Sequence, residues 1–526
     1  MENEDTNINS TRREEKQFGR RVSAFSSATM ISRVLGYFRD SMVAAYFGGG
    51  IQTDAFYAAF KIPNLLRRFL GEGALTAAFV PVFSGILHKK GKEEANSFFN
   101  SLLMGQAILL SLIVIIGIIF AEPITKFVAF GFTRDPAKFD LAVNLTRLIW
   151  PFLLFISLAA IISAVLNSSG QFFIPAMAPS GLSIAEIAFI SLMASQFENP
   201  IHGLAVAAVV GGGIHFLWLI PGLYKQGYHL KLVQPFKHSE VKSVFLLMVP
   251  TIIGLGADQI NSFVDQFCAS FLGDGSISAL YNSNRIMQLP LAIFGVAVSS
   301  VSLPALSKAA TQENWTEFKR LLSFSIRIAN FILIPSVIGL IVIGFPITQL
   351  LFERGKFTFE NSVMTYRALA PYVLGLPAFS MAKILATSFY SRKDTKTPVK
   401  IAFISMLINV VLNVLLMHKL QVSGLALATA VAAWVQVILL FFILRNKMGR
   451  IDGKAISKSF FFGIFAGLCM AVICYGLCFH LLLHWSLVLR VFTSIAAGSF
   501  FYFLIAKLLK VKELDFFLDL FLRKKT

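Results

Sequence analysis

The chain has 526 residues, of which 56% are hydrophobic and only 14% charged, well under the charged fraction of about 25% usual in soluble domains. With 53 Phe and apolar runs long enough to cross a bilayer, this composition excludes a soluble enzyme, a disordered chain and a β-barrel porin, and predicts an all-α polytopic membrane protein. Lys and Arg total 47 against 28 Asp and Glu, a net charge of +19 that membrane burial does not by itself require.

Residues 1–24 carry Arg12, Arg13, Lys16, Arg20 and Arg21 and no apolar core, so a cytoplasmic tail is expected here and a cleavable signal peptide is not. Apolar windows then predict fourteen transmembrane helices. Six of them, 25–47, 53–83, 98–121, 143–167, 172–195 and 201–224, make an N-lobe over 25–224. A cytoplasmic linker, 225–242, leads to a C-lobe over 243–445, with spans 243–272, 277–307, 322–350, 362–388, 397–418 and 423–445. Two more spans, 457–480 and 486–509, fall in the segment 446–510, and 511–526 forms a cytoplasmic C-terminal tail.

An even number of spans puts both termini on one side. With that side cytoplasmic, the cytoplasmic stretches hold 30 of the 47 cations and the outer loops only six: Lys126, Arg134, Lys138, Arg354, Lys356 and Lys419. Cytoplasmic loops are enriched in Lys and Arg, so the bias fixes the orientation and needs no substrate to explain it. Eleven cations remain within or at the ends of spans: Arg33, Arg39, Lys61, Arg67, Arg68, Arg147, Arg285, Arg327, Arg367, Lys383 and Arg490. A charge at the bilayer centre costs about 2.5–3.5 kcal/mol on insertion scales, so it is expected to face a water-filled cavity or a partner. Arg147, Arg327, Arg367 and Arg490 lie near span ends and are expected to snorkel; Arg33, Arg39 and Arg285 lie deeper.

The sequence repeats after about 220–225 residues. Asp40-SMVAAYF-Gly48 matches Asp265-QFCASFL-Gly273, and Phe56-Tyr57-AAF-Lys61 matches Leu280-Tyr281-NSN-Arg285. Trp150-Pro151-Phe152 parallels Ala370-Pro371-Tyr372, and Gly203-LAVAAVV parallels Gly424-LALATAV. Two six-span lobes of one orientation, with a site between them, are a common secondary-transporter architecture. The last two spans stand outside the repeat.

Ser32-Arg33-VLG-Tyr37-Phe-Arg39-Asp40, Thr53-Asp54-Ala-Phe, Phe60-Lys61-Ile-Pro63-Asn64-Leu-Leu-Arg67-Arg68 and Glu72-Gly73-Ala resemble the MurJ/MviN family. So do Asn284-Arg285-IMQLP, Gly355-Lys356-Phe357-Thr358 and Phe389-Tyr390-Ser391-Arg392. The resemblance runs from about residue 20 to 510. It implies the multidrug/oligosaccharidyl-lipid/polysaccharide exporter fold, two six-helix lobes plus two helices forming a groove for a lipid tail. It also implies flipping of lipid II, the undecaprenyl-diphosphate-linked peptidoglycan precursor, from the inner to the outer leaflet of a bacterial cytoplasmic membrane. Positions matching Arg33, Arg39, Arg67 and Arg285, and the acids matching Asp40 and Asp54, are the sensitive ones in that family. Asn284 and Gln288 stand where some relatives carry acids, which makes this cavity more positive.

The expected substrate-binding set is Arg33, Arg39, Asp40, Asp54, Lys61, Arg67, Arg68 and Arg285. Guanidinium forks bind phosphate oxygens through paired N–H donors and stay protonated in a dry site. Arg33, Gly36 and Asp40 share a helical face, whereas Arg39 points about 100° from Asp40 and is expected to join it only through a kink, for which Gly36 is the candidate. Asp40 and Asp54 are expected to hold the arginines when substrate is absent, and Glu72, between two glycines, to serve a hinge.

Asp265, Asn409, Asn413 and Thr429 are hard oxygen donors and the candidate Na⁺ site; some members of the resembling family carry sodium there. No other cofactor is expected. Na⁺ entry at Asp265, or the membrane potential, is expected to bias an alternating-access cycle, and no P-loop motif points to ATP.

The expected partners are lipid II, membrane lipids and cell-wall synthesis proteins, with no nucleic acid, and the chain is expected to be a monomer. An exporter of another lipid-linked oligosaccharide and an ion-coupled drug exporter are the alternatives, the latter disfavoured by a basic cavity. A glycosyltransferase would want acidic pairs in large outer loops, and Asp135, Asp140 and Glu353 form none. Cys268, Cys469, Cys474 and Cys478 lie in apolar segments and read as buried thiols, and Cys474, Cys478 and His480 lack a fourth ligand for a metal.

Overall fold

Apolar runs bounded by Gly, Pro and charged residues become helices along the whole chain. The computed structural model describes residues 2–292 and 296–515, and among them there is no strand. The side chains of 1–24 and the residues 516–526, where two of the expected basic clusters fall, lie outside the described residues, as does the side chain of Glu72.

By internal contacts the chain divides into two units, residues 1–259 and 260–526. The division falls within the seventh expected span rather than in the linker 225–242. The first unit starts with α1 (Glu2–Phe47), which runs through Gly36 without interruption. After a turn at Gly48–Gly50 comes α2 (Ile51–Arg67), then one π turn over Arg68–Glu72, then α3 (Ala74–Lys90). The π turn bonds Gly73 N–H to the Arg68 carbonyl at 3.2 Å. Two of its carbonyls are capped by side chains, Leu70 by Gln106 at 2.6 Å and Gly71 by Thr76 at 3.3 Å. Such capping is what makes irregular backbone tolerable inside a membrane span.

The next helices are α4 (Lys92–Ile119), α5 (Ala121–Val128), α6 (Pro136–Ile149) and α7 (Phe152–Ser168). They are followed by α8 (Phe173–Met177), α9 (Ser180–Leu192), α10 (Pro200–Lys225) and the first half of α11 (Glu240–Ala269). Phe79, Phe83, Phe98 and Phe99 are fully buried; Phe79 stacks on Phe83 and Phe98 at 5.1 and 5.8 Å. In lipid the apolar surroundings give little drive to associate, so ring geometry and tight packing hold such helices together. Small residues do the same for α9 and α10, where a Cβ on Gly211 would lie 2.6 Å from the Leu182 Cα.

The second unit continues with α12 (Ser276–Pro290), α13 (Val296–Thr311), α14 (Trp315–Phe352), α15 (Phe359–Leu374) and α16 (Leu376–Tyr390). Then come α17 (Lys396–Met448), α18 (Gly453–Gly476) and α19 (Leu487–Leu508). The long α17 is two spans joined at Gln421, whose φ of 50° and ψ of −131° are not helical, at the break expected between 418 and 423. Its second half packs back so tightly that a Cβ on Gly424 would sit 2.6 Å from the Leu416 carbonyl oxygen. The last two helices dock on α14, with the Tyr502 hydroxyl donating to the Phe331 carbonyl. Arg327, expected to snorkel, instead meets Glu513 at 3.1 Å.

Among the described residues nine helices are long and apolar enough to cross a membrane, or ten if the pair α15–α16, bent by 41°, counts as one span. The chain is therefore a multi-pass membrane protein, while the count of fourteen is not reached on this measure. One reason is that two expected spans merge in α17. Another is that the remaining expected spans lie on α1, which Arg33, Arg39 and Asp40 make less apolar, and on α11 and the α12–α13 pair, parts of which lie outside the described residues.

Candidate functional site

In the first unit the charged residues form two buried groups. Asp40, 2% exposed, accepts from Arg39 at 2.6 Å (Nη2) and 3.0 Å (Nε). No kink is needed, because the long arginine side chain curls around the helix to its neighbour's carboxylate, so the expected bend at Gly36 is absent. The same Arg39 Nε lies 3.4 Å from Glu186 on α9, the two side chains being 11% and 4% exposed. One guanidinium thus serves two buried carboxylates. The tight α9–α10 contact at Gly181 and Gly211, with α9 also packed on α1, sets Glu186 against Arg39. Arg33 is about two turns toward the N-terminus on the same helix, yet it is exposed and has no carboxylate partner among the described residues. Although Arg33 was expected on the same face as Asp40, it is Arg39 that holds the carboxylate.

The second buried group joins Asp54 of α2 to Lys138 of α6 at 3.1 Å, with the side chains 1% and 5% exposed. Lys138 was expected in an outer loop. Helix α6 starts seven residues before the expected span, because Asp135 caps it by accepting from the Ala137 and Lys138 N–H groups and Pro136 takes the first turn. That extension turns Lys138 inward, with its ammonium 4.4 Å above the Phe132 ring. Lys61 is half-buried on α2, Arg67 donates to Asn64 at 3.0 Å, and exposed Arg68 opens the π turn.

In the second unit Arg285 is half-buried on α12. The four candidate sodium ligands come together from α11 and the two halves of α17. Asn413 donates to Asp265 Oδ1 at 2.7 Å and Thr429 to Asp265 Oδ2 at 2.9 Å. Asn413 also donates to Asn409 at 3.1 Å, and Asn409 to Thr429 at 3.2 Å. Buried Tyr372 of α15 lies beside Asp265 and Thr429. The Asn413 Oδ1 is buried without a hydrogen-bond donor, an acceptor that only a cation or a donor from outside would satisfy. A carboxylate, two amides, one of them with an orphaned oxygen, and two hydroxyls fit a small hard cation.

A profile of the family described as lipid II flippase MurJ matches residues 43–496. The chain belongs to the lipid II flippase MurJ family. It is 33% identical over 502 residues to the probable lipid II flippase MurJ of Buchnera aphidicola subsp. Schizaphis graminum, covering 94% of this chain and 98% of that one. It is 36% identical over 432 residues to the lipid II flippase MurJ of Burkholderia cenocepacia, covering 81% and 84%. A solved lipid II flippase MurJ in an inward closed conformation superposes with a TM-score of 0.77 at 29% identity, over 92% of this chain and 98% of that one. An inward-facing MATE multidrug transporter of the MOP superfamily reaches a TM-score of 0.65 at 14% identity, covering 83% and 98%, a likeness of fold alone.

Within this MurJ-family chain, three site residues escaped the reading of the sequence. Glu186 is a lone acid in the apolar run Ser180–Leu192, and an acid inside a span is itself a signal, one lost when only cations were counted. Lys138 was hidden by a late helix start. Tyr372 stood in the repeat motif with Pro371 but carried no charge to mark it.

Proposed function

We propose that this chain flips lipid II from the inner to the outer leaflet of the bacterial cytoplasmic membrane, with both termini cytoplasmic, as a secondary-type transporter of alternating access. The observation that carries this reading is Arg39: a cation within a membrane-spanning segment, 11% exposed and held by two buried carboxylates. A permanently protonated guanidinium kept there by two acids suits a diphosphate, which offers oxygens in the same fork geometry.

Exposed Arg33 meets the headgroup first, about 10 Å along α1 on the N-terminal side. Arg39 then exchanges carboxylate for phosphate. Lys61, Arg67 and Arg68 lie along the broken helix α2–π turn, which can move as substrate passes. Asp54 acts through its pair with Lys138, fastening α2 to α6. Alternating exposure of these cations to the two sides moves the headgroup while the polyprenyl tail stays in lipid.

Asp265, Asn409, Asn413 and Thr429, with Tyr372, would hold Na⁺. When bound, that ion supplies a positive charge that neutralises Asp265. Through its bonds from Asn413 and Thr429, Asp265 itself ties α11 to both halves of α17.

The test is depletion of the protein in a peptidoglycan-making cell without another flippase, followed by assay of which leaflet holds lipid II. Lipid II should accumulate inside, and Arg39→Ala should fail to restore its outward exposure. Asp265→Ala should restore only transport that no longer responds to sodium. Outward exposure that survives depletion overturns the flippase reading, and an unchanged sodium response overturns the ion site.

A further inference from the structure

Arg39 is the shared counter-ion of two carboxylates on different helices, Asp40 of α1 at 2.6 Å and Glu186 of α9 at 3.4 Å. Both acids are almost wholly buried. If Arg39 turns to a diphosphate, as in the function proposed above, it brings no positive charge with it that could serve the acids it leaves. Two neighbouring carboxylates in a site of low dielectric cannot both stay ionised, and one of them takes a proton.

We propose that Glu186 is a proton-binding site coupled to substrate: it takes up one proton when Arg39 engages the diphosphate and releases it when Arg39 returns. The proton comes from the aqueous side to which the site is open at that moment and leaves from the side open at release, so no other reactant is required. Glu186 is the better acceptor of the two, since Asp40 holds Arg39 through two bonds and Glu186 through a single longer contact.

The other ionisable groups around it are few. Helix α8, packed on α1, has none in Phe173–Met177. Helix α10, packed on α9, brings buried His215. Helix α2, which also touches α1, carries Lys61 and Asp54, the latter paired with Lys138.

Coupling of this kind is reciprocal: if substrate raises the proton affinity of Glu186, protons raise the affinity for substrate. Binding should then strengthen as pH falls, by up to tenfold per pH unit over the range in which one proton is taken up. The test uses the full-length protein in nanodiscs and lipid II as the probe. Affinity is measured against pH, and proton uptake with an indicator dye in weak buffer, after subtracting the uptake of lipid II bound by Arg39-independent means in Arg39→Ala.

Wild type should take up close to one proton per lipid II bound. Glu186→Gln, whose amide mimics the protonated acid, should bind with little pH dependence and take up none. Glu186→Asp should keep the slope, and His215→Gln should keep it as well, which separates the two titrating groups. Equal proton uptake and equal slope in Glu186→Gln and wild type overturn the proposal while leaving the flippase reading intact. Undiminished lipid II binding by Arg39→Ala instead removes Arg39 as the phosphate ligand, and with it the role on which the proposal rests.

Discussion

Lys138 and Asp54 show how a single capped helix start changes the meaning of a charge. Counted as an outer-loop cation, Lys138 is topological; drawn inward by the cap at Asp135 and Pro136, it becomes half of a buried ion pair. Breaking a buried pair by removing one partner costs about 3–5 kcal/mol, because a charge is left buried without its counter-ion, while removing both costs far less. Lys138→Met should therefore lower the apparent melting temperature of the purified protein by several degrees, and Asp54→Asn/Lys138→Met should recover most of the loss. A double variant as unstable as the single would show that the pair does not hold α2 to α6. Most of the site was legible at this scale. Intramembrane Arg39, Asp40 and Asp265, and the one-turn spacing of Asn409 and Asn413, announce themselves against an apolar background. What was not legible is which groups meet: neither Glu186 with Arg39 nor Tyr372 with Asp265 follows from spacing, since each pair joins helices far apart in sequence.

At the scale of elements, the segment between α10 and α11 is a fastened strap rather than a loose linker. Asn100 of α4 donates to the His229 carbonyl and accepts from the Lys231 N–H, each at 2.8 Å, and the Ser101 hydroxyl accepts from Lys237 N–H at 2.9 Å. Lys90 closes the far end on Glu240 at 2.7 Å. The bond from Lys90 pulls the Glu240 carboxyl down to about 2. A carboxylate with a depressed pKa contributes its stabilisation above its unfolded value of about 4.3 and loses it as pH falls through the folded one. The clasp should thus hold at neutral pH and loosen between about pH 4.5 and 2. Spin labels on α4 and the strap should report more mobility over that window, and Lys90→Met should bring the same mobility at pH 7. Equal mobility in Lys90→Met and wild type would show that the backbone bonds to α4 suffice alone. The sequence marked 225–242 only as charged and polar. The register of its backbone groups on Asn96, Asn100 and Ser101 depends on packing that no periodicity reports.

For the whole molecule, hydropathy identified the class, as the apolar spans among the described residues and the family match over residues 43–496 bear out. On α1, the residues that weaken the membrane signal, Arg33, Arg39 and Asp40, are the ones that mark it as functional. The charge excess that stands out in the composition says little of this, because most of it falls in the tails and loops outside the expected spans and the informative part is a few buried cations with their acids. The account turns on Arg39 as the phosphate ligand of a lipid II flippase, and the most direct measurement reconstitutes the purified chain in liposomes with labelled lipid II in one leaflet. Wild type should carry the label to the opposite leaflet under a membrane potential or a sodium gradient, and Arg39→Ala should slow that transfer at least tenfold. Label that stays in its starting leaflet with wild type, or transfer by Arg39→Ala at the wild-type rate, would contradict it.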